Sequence, residues 1–219
     1  MVTMSVRAKR VSATREQILV AAERLFAEHG LTVSNRQISE AAGQGNNFAV
    51  GYHFGTKTDL VRAIMHSHQE QIERHRLRML GQVAESTDLR VWASCLVRPY
   101  TEHLAALGSP SWFARFAAQV ATDPMLRAIM IDEALLRPSL LRVIEGLHAC
   151  LPALPEEVRR ERSDMARLLI EHVCAERERA LAEGTGTPRA TWDDTATGLI
   201  DALVGQWLAP VTNAPVMNA

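Results

Sequence analysis

The sequence predicts an all-α protein: an amino-terminal module of three short helices in helix-turn-helix order, followed by a larger helical body. Three observations predict it. Apolar residues recur at three- and four-residue intervals along most of the chain, and no run alternates with the two-residue period of a strand between hairpin turns. Up to Leu60, capping patterns and glycines follow one another closely enough to bound several short helices. Beyond it, Pro110, Pro124 and Pro138 mark helix starts. A chain of 219 residues holds one domain or two modest ones. The expected division is a basic flexible arm over 1–13, the reading module over 14–60, the helical body over 61–210 and a flexible tail over 211–219.

The arm contains Arg7, Lys9 and Arg10, no acidic residue and no long apolar stretch, so it is not a signal peptide. A basic arm beside a helix-turn-helix reaches a minor groove or nearby phosphates; a plain solvated terminus has the same composition. Thr14 with Gln17, and Ser34 with Gln37, have the spacing of a capping box, in which a hydroxyl and an amide side chain satisfy orphan backbone amides. Ile18, Leu19, Ala22, Leu25 and Phe26 form the apolar stripe of the first helix, which Gly30 ends. Ile38, Ala41 and Ala42 form the buried side of the second, and Gly43 permits the turn. The third is expected over Asn47–Tyr52, capped by Asn46 or Asn47, with a polar amino-terminal end suited to base edges, since asparagine pairs with adenine in the major groove. Thr56 with Asp59 starts a fourth helix.

This order of helices, closed by Tyr52-His53-Phe54-Gly55-Thr56-Lys57, resembles the amino-terminal domain of TetR-family transcriptional repressors. The resemblance covers about the first quarter of the chain. It implies a sequence-specific regulator of transcription, a repressor released from a double-stranded DNA operator by a small-molecule effector. It also implies that Asn46, Asn47, Phe48 and Ala49 lie near base edges, that Val50 is buried, and that Tyr52, His53 and Lys57 hold backbone phosphates; Arg36 joins the DNA-binding set. A phenol, an imidazole and an ammonium suit phosphate, and such contacts fix register without reading sequence. Phe54 offers phosphate nothing and is expected to pack. The chain departs from the commonest family pattern twice. One extra residue, in Gln44-Gly45, lengthens the turn, and Gly51 stands where many members carry an aromatic side chain.

Charge agrees with a small reading head on a non-DNA body. Up to Leu60 there are seven basic residues against five acidic ones, in a chain whose net charge is −1. Cys95, Cys150 and Cys174 are far apart, without metal-ligand spacing, and are expected as free thiols in the reducing cytoplasm. The uncharged run from Ala202 to Ala219 is broken by glycine, proline and asparagine, so no membrane span is expected.

Catalysis finds no support. His68 and His75 share a helix face without a third ligand, Ser109-Pro110-Ser111 is no nucleophile elbow, and there is no glycine-rich phosphate loop. No cofactor, metal or enzymatic activity is expected. A second reading is an all-α small-molecule binding or sequestering protein with a vestigial reading module, favoured by Gly51 and the long turn.

In the body, helices are expected from Leu60 to about Ala84, then over Arg90–Leu107, Ser111–Ala121, Pro124–Leu136, Pro138–Cys150, Glu156–Glu183 and Trp192–Leu208, the last two separated by Gly184-Thr-Gly-Thr-Pro188. The final pair is more apolar than one side of a small core requires. The resemblance implies a four-helix homodimer interface there, with Met165, Leu169, His172, Leu199, Leu203 and Trp207 in it; closing the subunit's own core is the alternative. It further implies an effector cavity for a small apolar or amphipathic organic molecule. Its expected lining is Trp92, Cys95, Tyr100, His103, Trp112, Phe113, Phe116, Met125 and Met130, residue types that serve equally as core.

Overall fold

A computed structural model describes residues 6–46, 48–83 and 86–212, with backbone alone over 6–10. Asn47, the arm's basic side chains and residues 213–219 of the expected tail lie outside the described residues. The elements are all helical: α1 (Val6–His29), α2 (Asn35–Ala41), α3 (Ala49–Phe54), α4 (Lys57–Leu80), α5 (Leu89–Leu107), α6 (Phe113–Thr122), α7 (Pro124–Leu135), α8 (Pro138–Cys150), α9 (Glu156–Glu183) and α10 (Trp192–Leu208). None is long and apolar enough to cross a membrane, among the described residues.

Local chemistry sets most boundaries. Ser34 and Gln37 form the expected capping box of α2, and Thr56 and Asp59 that of α4. Gly30 and Gly43 adopt φ of 78° and 68°, left-handed geometry that ends α1 and turns the chain after α2. In the body α6 begins at Phe113, not Ser111, and two starts in the head differ from expectation. α1 begins at Val6, not Thr14, because residues 6–13 contain neither proline nor glycine and are mostly good helix formers, so nothing halts the helix upstream. α3 begins at Ala49; Asn46 caps the preceding turn instead, its Oδ1 accepting the Phe48 N–H at 2.9 Å.

In the body, α5 is central, packed against α4, α8 and α10, while α6 lies between α1, α7 and α9. A buried carboxylate anchors α6. Glu178 of α9, 2% exposed, accepts from the Ser111 hydroxyl, the backbone N–H groups of Ala114 and Arg115, and Arg115 Nε. It thus answers the orphan amides and the positive end of the α6 dipole. Arg162 of α9 donates to the carbonyls of Trp207 and Ala209 at the far end of α10, and Arg177 to those of Arg189 and Ala190 before its start.

The head is docked on the body by aromatic and polar contacts. Phe26 of α1 stacks on Phe116 of α6 with ring centroids 6.0 Å apart. Trp112 Nε1 donates to Glu28. His68 of α4 lies flat on Phe113 at 3.8 Å and bridges Glu23 of α1 at 2.9 Å to His103 of α5 at 2.7 Å.

Candidate nucleic-acid interface and effector cavity

The reading surface is built by burying one side of α3. Val50 and Phe54 are 0% and 8% exposed and pin the helix to the head's core. Arg15 of α1 clamps it from outside: Nη1 donates to the His53 carbonyl at 2.9 Å, and the guanidinium sits 4.2 Å over the Phe54 ring. Arg15 was not foreseen, since an isolated arginine on a helix shows no pattern. The opposite side faces outward: Phe48 and Tyr52, one turn apart, are 79% and 77% exposed, and Gly51 beside them meets nothing. Asn46 is exposed as well.

Several expected DNA-binding residues sit differently. Ala49 is 7% exposed, on the buried side of α3, so it does not present itself to bases. His53 is half-buried at the carboxyl end of α3. Lys57 Nζ donates to the Leu31 carbonyl at 2.9 Å, joining the α4 start to the loop after α1 with two of its three N–H groups in reserve. Arg36 is exposed and paired with Glu40 at 2.9 Å.

A cavity of about 330 Å³ opens among α4, α5, α6, α7, α8 and α9. Of the expected lining, Tyr100, Phe113 and Met130 are in its wall. The others are not. Trp92 packs on Gly146 so closely that a Cβ there would lie 2.3 Å from the indole, and its N–H donates to the Ser86 carbonyl. Cys95 is fully buried, and burial pushes its thiol pKa up. His103 is held by His68, Trp112 and Phe116 face α1, and Met125 is 70% exposed. The wall is completed instead by Met65 and Ile72 of α4, Leu140, Ile144 and Leu147 of α8, and Ile170 of α9, with Arg76, Arg167 and Glu171 as its charged members. Their spacing marks an apolar helix face, which is the same signal that a solid core gives.

The expected dimer residues divide in two. Leu199, Leu203 and Trp207 are 3%, 0% and 4% exposed within one subunit, because that side of α10 covers α5; Trp207 lines the cavity. They are unavailable to a partner. On α9, Met165 and Leu168 are 46% and 42% exposed, His172 is exposed and Leu169 half-buried. The outward side of α10 is Ala202, Gly205 and Leu208.

A helix-turn-helix with an outward-facing third helix, joined to an all-helical body with an apolar cavity, is the build of a bacterial DNA-binding transcription regulator. Residues 18–64 match the family model of bacterial regulatory proteins of the tetR family, and residues 94–205, more than half of the chain, match that of tetracyclin repressor-like carboxyl-terminal domains. The chain belongs to the tetR family. Among solved structures, it resembles a TetR family transcription regulator from Marinobacter aquaeolei VT8, at 17% identity over 90% of this chain and 97% of that one, with a TM-score of 0.59. It is also similar to the TetR-like regulator LfrR from Mycobacterium smegmatis in complex with proflavine, at 22% identity over 93% and 99% of the two chains and a TM-score of 0.47. The multidrug binding protein EbrR complexed with imidazole is 18% identical over 90% and 92%, with a TM-score of 0.48. At 17% identity the likeness to the Marinobacter aquaeolei regulator shows fold alone. No curated protein matches the chain.

Proposed function

We propose that the chain is a homodimeric cytoplasmic repressor that reads a double-stranded operator through the α3 surface and leaves it when a small apolar or amphipathic organic molecule fills the cavity. It acts by binding and not by catalysis. The observation that carries the reading is α4. Its first turn is capped against the end of α3 at Thr56–Asp59, and its middle, Met65, Ile72 and Arg76, is cavity wall. One rigid helix therefore belongs to both sites, and a displacement at one is felt at the other.

Base reading falls to Asn46, Asn47 and Phe48, an apolar ring being suited to a thymine methyl. Tyr52, His53, Lys57 and Arg36 supply phosphate contacts. Two such heads on one duplex require a two-fold partner, and the outward stripe Met165, Leu168, His172 with Ala202, Gly205 and Leu208 is the surface offered for it.

Selection of bound duplexes from a randomised pool tests the reading. An enriched palindrome is expected, bound more weakly once a cavity ligand is added. Binding that is equally weak for every sequence would favour a small-molecule sequestering protein. On the enriched duplex, Lys57→Ala should weaken binding to all sequences and reduce the salt slope by about one, while Asn46→Ala should relax base preference by ~1–3 kcal/mol.

A further inference from the structure

The cavity wall is mainly apolar, but two arginines enter it, Arg76 from α4 and Arg167 from α9. Arg76 is 4% exposed. Its Nη1 donates to Glu73 at 3.2 Å and to Ser139 Oγ at 3.5 Å, and the same Glu73 oxygen is shared with the Ser139 hydroxyl, which donates to it. The Arg76 Nε is buried without an acceptor. Arg167 donates through Nη1 to Glu171 at 3.0 Å and has Asp164 at 3.7 Å; its Nε too is buried without an acceptor, as is the Tyr100 hydroxyl.

Each guanidinium thus has a carboxylate partner, Glu73 for Arg76 and Glu171 for Arg167, yet keeps a buried Nε donor without an acceptor. Guanidinium is a donor-only group with a planar fork, and a buried donor without an acceptor is costly, so the wall is short of acceptors. Burial holds the Arg76 pKa below its usual value, and the Glu73 carboxylate offsets this only in part.

We infer that the effector is an apolar molecule ending in a carboxylate, its body held by the apolar walls and its acid group received at Arg76. The inference rests on the reading of this cavity as the effector site. A carboxylate is the planar acceptor that an arginine fork matches, and it brings two acceptor oxygens to a wall that holds donors without partners. An amine would have to compete with Arg167 for Glu171 and would add a third cation. An alcohol offers Arg76 one uncharged acceptor oxygen and no bidentate match. The volume of about 330 Å³ lies within the ~300–1,000 Å³ of small-molecule sites.

Calorimetric titration of the full-length protein with decanoate, decylamine and decanol, three probes with one apolar body, tests the inference. Decanoate is expected to bind at least about tenfold more tightly than either of the others, as a charge-assisted bidentate pair provides. Arg76→Met retains the apolar stem and removes the fork, so decanoate's lead should vanish while decanol still binds. The ranking on the unmodified protein is decisive even where that variant fails to fold. Decylamine or decanol equalling decanoate, or a lead that survives Arg76→Met, would overturn the inference and leave the effector cavity standing. If none of the three binds, the cavity reading falls and the inference with it.

Discussion

Trp92 and Tyr100 lie two turns apart on α5 as similar aromatic residues, yet one is core and the other cavity wall. What separates them is Gly146 on α8, whose missing side chain lets Trp92 close the gap between the helices. Gly146→Ala would force a methyl to 2.3 Å from the ring, and overpacking of this kind costs ~1–3 kcal/mol. The expected result is a lower urea midpoint at unchanged m-value; a midpoint equal to that of the unmodified protein would show that α8 moves freely. His103 shows a second way in which surroundings override residue type. Burial first, then His68 and His75, holds its pKa down at about 3 from an ordinary 6.5. The unfolded chain then takes up the proton first, so this contribution to stability is whole above about pH 6.5 and is lost as pH falls towards 3, by at most ~1.4 kcal/mol per pH unit. Replacing His103 with Asn should flatten the fall of unfolding free energy between about pH 7 and pH 5, followed by urea titration at each pH; an unaltered slope would contradict the assignment.

Helix ends that are set by local chemistry were readable in the sequence. The Ser34–Gln37 and Thr56–Asp59 boxes, the starts at Pro124 and Pro138, and the stop at Gly184 all involve residues within a turn of the boundary. The start of α1 was not, because no residue ahead of Thr14 opposes a helix, and α3 was displaced because Asn46 satisfies a turn and not the helix. What covers an apolar face was also illegible. Periodicity predicts that α10 has such a face, and the fold turns Leu199 and Leu203 towards α5 within the subunit, so that only α9 and the small residues of α10 face outward. The same limit hid the cavity, whose wall residues on α4 and α8 have the spacing of core. Two charge insertions should therefore differ. Leu168→Glu is expected to yield a folded monomer, its dimer Kd raised by roughly tenfold or more, since a charge is desolvated only when the subunits meet. Leu203→Glu is expected to destabilise the subunit itself by several kcal/mol, because its carboxylate has no partner in the α5–α10 contact. Light scattering and circular dichroism separate the cases, and a Leu168→Glu protein that remains dimeric would move the interface elsewhere.

Across the whole molecule, two packed routes join cavity and head. α4 passes directly from Met65 and Ile72 in the wall to its cap beside α3. α6 offers the other: Phe113 faces the cavity and stacks on His68, which holds Glu23 of α1, and Phe116 rests on Phe26. The Glu178 carboxylate fixes the α6 end of this route. Glu178→Gln should cost ~1.5–3 kcal/mol by weakening charge-assisted bonds to the helix amides, and it should loosen α6 selectively, seen as faster amide exchange at Ala114 and Arg115. Unaltered exchange there would show that the helix holds its start without the charge. Coupling between the cavity and the operator surface is read out by a closed binding cycle. Operator affinity is measured with and without saturating decanoate, or the tightest hit of a thermal-shift screen, and the affinity of that molecule is measured with and without operator. Each is expected to weaken the other by the same factor, about 5- to 150-fold, as linkage requires. A molecule that occupies the cavity yet leaves operator affinity unchanged would contradict it.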